Sequence, residues 1–179
     1  GDATFTQRPT AVATAINDYL KPFLIGKNVS DIEDIWQTSY VSSYWRNGPV
    51  LNNALSGIDQ ALWDIKGKFL NLPIYELMGG CFVDKMRVYS SNMFQYTIED
   101  TVNRVKIAID TGHTAVKFGW EPFGLNEELD LKYVEAIRKQ LGNNLDFMLD
   151  VGLIWDAKTT VKRAKSYEPY NLFWIEEPL

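Results

Sequence analysis

The second half of this chain repeats a short apolar run followed by a helical pattern, and that repetition narrows the fold more than any other feature. The runs are "RVYSS", "TAVKFGW", "DFMLDV" and "LFWIEEP", starting near Val88, Ala115, Phe147 and Phe173. Their spacings of 27, 32 and 26 residues suit βα units, because a parallel strand pair needs a crossover of roughly a dozen residues or more. Between them lie "TIEDTVNRVKIAIDTG", "NEELDLKYVEAIRKQLG" and "AKTTVKRAKSYEPY", whose apolar residues recur at helical spacing. Strands alternating with helices predict an α/β fold with a parallel sheet and right-handed crossovers, either doubly wound or a (β/α)8-type barrel. No G-x-G-x-x-G follows the first run, which counts against a dinucleotide-binding sheet.

Two of the runs stop at acids: Phe147-Met148-Leu149 at Asp150, and Phe173-Trp174-Ile175 at Glu176-Glu177-Pro178. A carboxylate at the tip of a covered strand needs a cation, a donor or water. Alternation along a strand puts Met148 and Asp150 on one face, and Trp174 with Glu176 on one face, with Glu177 opposite. Lys117 stands at the corresponding end of the second run. Two acids and a base therefore converge at one mouth of the sheet, and barrel active sites sit at that C-terminal face. Hard oxygen ligands on a rigid frame suit Mg2+, with Mn2+ as the alternative. Taken singly, each acid reads equally well as a solvated strand end or a helix cap.

The first part of the chain has a different rhythm. From Arg8 to about Leu70 the pattern is helical: "RPTAVATAINDYLKPFLIG" carries Val12, Ala15, Ile16, Tyr19 and Leu20 at helix-face spacing with Gly26 as a stop. "SDIEDIW" reads as a capping box from Ser30 to Glu33. "GPVLNNALSGIDQALWDIKGKFLN" opens with Pro49 and places Leu51, Ala54, Leu55, Ile58, Ala61, Leu62 and Ile65 along one face. The domains expected are thus 1-84, helical, and 85-179, strand–helix.

Composition removes several function classes. The 179 residues are 46% hydrophobic and 23% charged, as in a globular protein. A net charge of −5 without a Lys/Arg cluster argues against nucleic acid as a partner. No apolar run reaches the ~18 residues needed to span a bilayer, so no membrane partner is expected and a cytoplasmic location is. The lone Cys81 reads as an inert buried thiol. The lone His113, before the second strand, falls at the pole away from catalysis.

"SGIDQALWDIKGK", "YELMGG", "AVKFGW", "LDV" and "WIEEP", in this order, resemble the enolase superfamily and its mandelate racemase/muconate-lactonizing subgroup. The segments "GDATFTQRP", "IEDIWQ" and "YWRNGPV" look most like the capping domain of D-mannonate dehydratase-type members. The resemblance implies an α+β capping domain over a modified (β/α)7β barrel, of which this chain would hold the helical part of the cap and the first four strands. It implies that Asp150 and Glu176 are metal ligands and that the substrate is an acid sugar. The proton beside its carboxylate would be abstracted to give an enediolate, and a β-hydroxyl would then leave.

Three departures qualify that likeness. The family's Lys-x-Lys reads Lys117-Phe118-Gly119 here, so one usual base is gone and Lys117 is left to serve the substrate carboxylate. Gly152 stands where many relatives have Asn. The strand-two Arg and the His after the first ligand, found in mannonate dehydratases, are both absent. Trp120 and Arg46 are candidate substrate contacts; Trp120, with Pro122 and Phe123, reads equally as the core of a loop, and Arg46 as a contact to a neighbouring subunit. Four strands leave an open edge, so the chain is expected to be part of a longer enzyme; a homo-oligomer is expected as well. A racemase or epimerase of the same superfamily, or a non-catalytic relative or scaffold, is the competing reading.

Overall fold

All four expected strands form one parallel sheet in the computed structural model, which describes residues 1–179. By chain contacts the molecule divides into two units, Gly1–Asp84 and Lys85–Leu179. In the first, α1 (Pro9–Thr14) runs through a π-helical stretch, Ala15–Leu20, into α2 (Lys21–Leu24). Then come α3 (Ile32–Val41), α4 (Pro49–Leu70) and α5 (Ile74–Leu77). In the second, β1 (Ser90–Met93), α6 (Ile98–Asp110), β2 (Ala115–Gly119), α7 (Glu127–Leu141), β3 (Asp146–Asp150), α8 (Ala157–Tyr167) and β4 (Trp174–Glu176) alternate, with sheet order β1-β2-β3-β4.

Two small apolar clusters hold the helical unit, Val12, Ala15 and Ala54 in one and Ile32, Ile35 and Leu62 in the other. Three details differ from the sequence expectation. The π-helical stretch adds a residue to the turn and rotates the later side chains off the face, and Tyr19 is 73% exposed. The N-cap of α3 is Asp31, without a side-chain bond; Ser30 instead takes its backbone N–H to Asn28 Oδ1, an Asx turn that replaces the capping box. Along α4, Ala54, Leu55 and Leu62 are buried, but Leu51 and Ile65 at the margins of the stripe are exposed.

In the strand–helix unit the period of two sorts the side chains. Val116, Phe118, Phe147 and Leu149 face α6, α7 and α8 and join Val105, Ala108, Tyr133, Val134, Ile137 and Tyr167 in one buried cluster. The alternate positions Lys117, Met148, Asp150, Trp174 and Glu176 lie on the other face. Each helix starts at a side-chain cap: Thr97, Asn126 and Asp156 accept from the N–H groups of Asp100, Leu129 and Thr159. Buried Arg138 fastens the far end of α7 by donating to the carbonyls of Gly142, Leu145, Tyr170 and Asn171.

The first strand begins later than its apolar residues suggest. Pairing starts at Ser90 opposite Val116, so Val88 and Tyr89 precede the ladder. Arg87 is held just below it by Asp146 (2.6 Å) and by Thr114.

Candidate active site

Parallel register decides which groups meet at the C-terminal ends of the strands. Lys117 pairs with Met148 and Met148 with Trp174; one level higher, Gly119 pairs with Asp150 and Asp150 with Glu176. Asp150 and Glu176 are therefore neighbours on one face, and Lys117 reaches up from the level below. Its Nζ donates to Glu176 Oε1 at 2.6 Å and to Asp150 Oδ2 at 3.3 Å. The remaining oxygens are also engaged: Asp150 Oδ1 accepts from the Gly152 N–H at 3.1 Å, and Glu176 Oε2 from Trp174 Nε1 at 3.1 Å. Burial by itself would lower the Lys117 pKa, but the hydrogen bonds to Glu176 and Asp150 and their charges outweigh it and hold the ammonium above the ordinary lysine value.

Backbone contacts beyond the strand ends fix the two acids. The Trp120 N–H donates to the Asp150 carbonyl at 3.3 Å, and Val151, Leu153 and Trp155 donate to the carbonyls of Glu176, Glu177 and Pro178. Three of these loop residues have left-handed backbones, Trp120 (φ 70°), Leu153 (φ 65°) and Glu177 (φ 44°). Every other non-glycine residue with positive φ is an asparagine, which tolerates that region far better. Strained backbone thus gathers at this mouth, a pattern found at functional sites.

The five residues singled out from sequence fall into two groups, three that meet and two that do not. Lys117, Asp150 and Glu176 are brought together. Trp120 lies beside them through its backbone, with its side chain 56% exposed. The loop core is filled instead by Phe123, which is buried and stacked on Phe94 at 4.5 Å. Arg46 belongs to the helical unit, where it lines a cavity of about 330 Å3 together with Tyr19, Tyr40 and Leu55; its Nε makes a long bond, 3.4 Å, to the Ser43 carbonyl. His113 pairs with Thr111 at 3.0 Å. Cys81 is exposed rather than buried, because "GGCFVD" carries it outside both cores.

Two further residues belong to the site. Trp174 holds Glu176, and the ring of Tyr89 lies 5.7 Å from Lys117 Nζ and edge-on to Trp174 at 5.8 Å. Alternation already placed Trp174 on the face of Glu176; Tyr89 precedes the ladder and carried no such signal.

Two carboxylates that converge on one ammonium can converge on one metal ion, and oxygen donors on adjacent rigid strands fit a hard divalent cation. No cluster of three or more His, Cys, Asp or Glu side chains accompanies them. Asp150 and Glu176 would supply two of the oxygen ligands of such an ion.

Residues 1–79 match the family model of the mandelate racemase/muconate lactonizing enzyme N-terminal domain, and residues 100–179 match the enolase C-terminal domain-like model. The chain belongs to the mandelate racemase/muconate lactonizing group of the enolase superfamily. A D-galactonate dehydratase family member from Enterococcus gallinarum is 40% identical over 200 residues, covering 100% of this chain and 50% of the relative. Another, from Musicola paradisiaca, is 36% identical, covering 100% of this chain and 52% of the relative. The chain spans about half the length of the curated relatives it matches. A solved enolase from Pantoea ananatis with bound D-gluconate and Mg superposes with a TM-score of 0.85 at 33% identity, covering 99% of this chain and 52% of that one. The 3,6-anhydro-D-galactonate cycloisomerase of Zobellia galactanivorans gives 0.84 at 37% identity, covering 95% and 47%. These superfamily neighbours carry the same fold, so the parallel sheet is a part of the superfamily's barrel. No helix is long and apolar enough to cross a membrane.

Proposed function

We propose that the protein is a Mg2+-dependent acid-sugar dehydratase, with Asp150 and Glu176 as metal ligands and Lys117 as the cationic partner of the substrate carboxylate. The observation that carries this reading is the pairing of Asp150 with Glu176 on one face, both carboxylates on the Lys117 ammonium. The names of the D-galactonate dehydratase family relatives and the D-gluconate and Mg of the Pantoea structure support it.

The metal, when bound, supplies Lewis-acid charge to the substrate carboxylate. The chain's own residues do the rest of what this mouth offers. Lys117 gives a second positive charge where negative charge grows as the neighbouring C–H proton leaves. Trp174 and Gly152 each occupy one oxygen of Glu176 and Asp150, which fixes the direction of the other. Trp120 borders the mouth and lines the substrate. Gly119 offers no base, and a Cβ there would lie 2.7 Å from the Asp150 Cβ; this favours dehydration over racemisation with a base on β2. The base would stand on another element of the full-length enzyme. Residues 1-84 are read as the helical part of its capping domain, with Arg46 a substrate contact, and 85-179 as the first half of its barrel. Mn2+ is expected to substitute for Mg2+, and the enzyme to act as a cytoplasmic homo-oligomer.

The test is to offer D-galactonate, D-gluconate and D-mannonate to the full-length protein and measure the 2-keto-3-deoxy acid formed. Mg2+-dependent conversion of one of them is expected, reduced by roughly 100-fold or more in Asp150→Asn and Glu176→Gln. Conversion that survives metal removal, or both substitutions, would sink the reading.

A further inference from the structure

Lys117 is the one cation in contact with the acid pair, and it holds the position a shared metal would take. Its ammonium lies 2.6 Å from Glu176 Oε1 and 3.3 Å from Asp150 Oδ2. Mg2+ sits at about 2.0 to 2.1 Å from its oxygen ligands, inside the space of an ammonium bridging the same two groups. Two cations between the same carboxylates would also repel each other strongly in a site where the lysine side chain is only 11% exposed.

We propose that Lys117 is the resident counter-ion of Asp150 and Glu176, that a divalent metal enters by displacing its ammonium, and that metal therefore binds before the acid substrate. This rests on the metal reading given above. Charge decides the order. Two carboxylates and one ammonium leave the mouth at −1, which repels a sugar acid. A dication brings the same three side chains to +1 and frees the ammonium to meet a substrate carboxylate. The Tyr89 ring already lies 5.7 Å from Nζ, within cation–π range, so an ammonium leaving the acids has an aromatic face beside it. Tyr89 is itself braced edge-on by Trp174. Gly119 adds no competing side chain at the level of Asp150 and Glu176. The bridging lysine and the bare position above it thus form one device, in which the metal switches the mouth from anion-repelling to anion-accepting.

Calorimetric titration of the full-length protein with Mg2+ and with Mn2+ is the first test. Lys117→Met should bind either ion at least roughly 10-fold more tightly than the unmodified protein, and D-gluconate should bind the unmodified protein only after Mg2+. Equal or weaker metal binding by Lys117→Met, or D-gluconate binding of equal strength without metal, overturns the displacement. Should Lys117→Met fail to fold, 15N-lysine spectra of the unmodified protein replace it, with Lys117→Arg identifying the Nζ signal. The protected signal should shift or broaden as Mg2+ is added, and one left unchanged at saturation overturns the proposal. Asp150→Asn and Glu176→Gln separate the two levels. If they bind Mg2+ normally, the metal reading falls and the displacement with it. If they lose Mg2+ while Lys117→Met binds as the unmodified protein does, only the displacement falls.

Discussion

Asp130 and Arg163 form one buried ion pair of the Lys85–Leu179 unit; Lys117, Asp150 and Glu176 form a second charged cluster in the same unit. In the first, the side chains are 0% and 7% exposed and meet at 2.9 Å. Asp130 Oδ2 takes Arg163 and Oδ1 takes the Gly124 N–H at 3.0 Å, while Arg163 also lies over the Trp155 ring at 5.4 Å. One charge meets one charge, and the result pins the loop after β2 to α7 and α8. In the second, two negative charges share one positive, and the Glu176 side chain is 33% exposed. A neutral, enclosed pair has finished its chemistry in the folded chain. An unbalanced pair of acids at strained strand ends keeps a negative charge that its one lysine does not cancel.

Removing Arg163 should have the largest effect on folding and should leave the mouth's chemistry to be read separately. Arg163→Met strands the Asp130 carboxylate in the interior, and breaking a buried pair in this way costs about 3–5 kcal/mol. Urea unfolding of the full-length protein would show it. Asp150→Asn should shift the same midpoint by under about 1 kcal/mol, since the amide still accepts from Gly152, while abolishing metal binding. Equal losses of stability in the two variants would break the distinction between a structural pair and a reactive one.

Lys117 sharpens the comparison from the other side. Lys117→Met should lower turnover by about 2.7–4 kcal/mol, roughly 100- to 1000-fold, by analogy with the loss of a donor to developing negative charge. Exchange of the substrate's α-proton with solvent then separates two roles. Residual exchange in the variant, with turnover lost, places the base elsewhere and leaves Lys117 as charge. Exchange that vanishes while substrate still binds would make Lys117 the base and overturn its assignment here.

The sheet and its mouth were legible because they obey rules that act residue by residue. A period of two placed Met148 with Asp150 and Trp174 with Glu176, and strand spacing placed Lys117 beside them. The Asp130–Arg163 pair was not legible, since residues 33 positions apart on two amphipathic helices read as ordinary charged positions until the helices pack. The left-handed Trp120, Leu153 and Glu177 were hidden for the opposite reason: local propensity disfavours that conformation, and only the surrounding contacts impose it. β1 was displaced by two residues because Val88 and Tyr89 look more strand-like than Ser90-Ser91-Asn92, although pairing begins only at Ser90, opposite Val116. The helical unit misled at Tyr19, where a π-helical turn breaks the 3.6-residue count on which face assignment depends.

The smallest expected effect tests whether the closed cluster is as complete as its ion pair implies. Tyr167 packs against Phe123 and Trp155 within the same core, and its hydroxyl is buried without a hydrogen-bond partner. Burial, and then the nearby Asp130 carboxylate, push its pKa up to about 12. The unfolded chain releases a tyrosine proton near pH 10, whereas the folded one keeps it. The stabilising difference is therefore fully present below pH 10 and is lost as pH rises from about 10 to about 12. Tyr167→Phe removes an unsatisfied hydroxyl while keeping the ring, so at pH 7 its stability should lie within about 1 kcal/mol of the unmodified protein. Above pH 10 the variant should become the more stable of the two, because it has no phenol to ionise on unfolding. Urea midpoints measured for both proteins at pH 7, 9 and 11 would show the two curves diverging in that order. A large loss at pH 7 would instead mean that the hydroxyl has a partner in the Asp130–Arg163 cluster, and that the pair is not closed on itself.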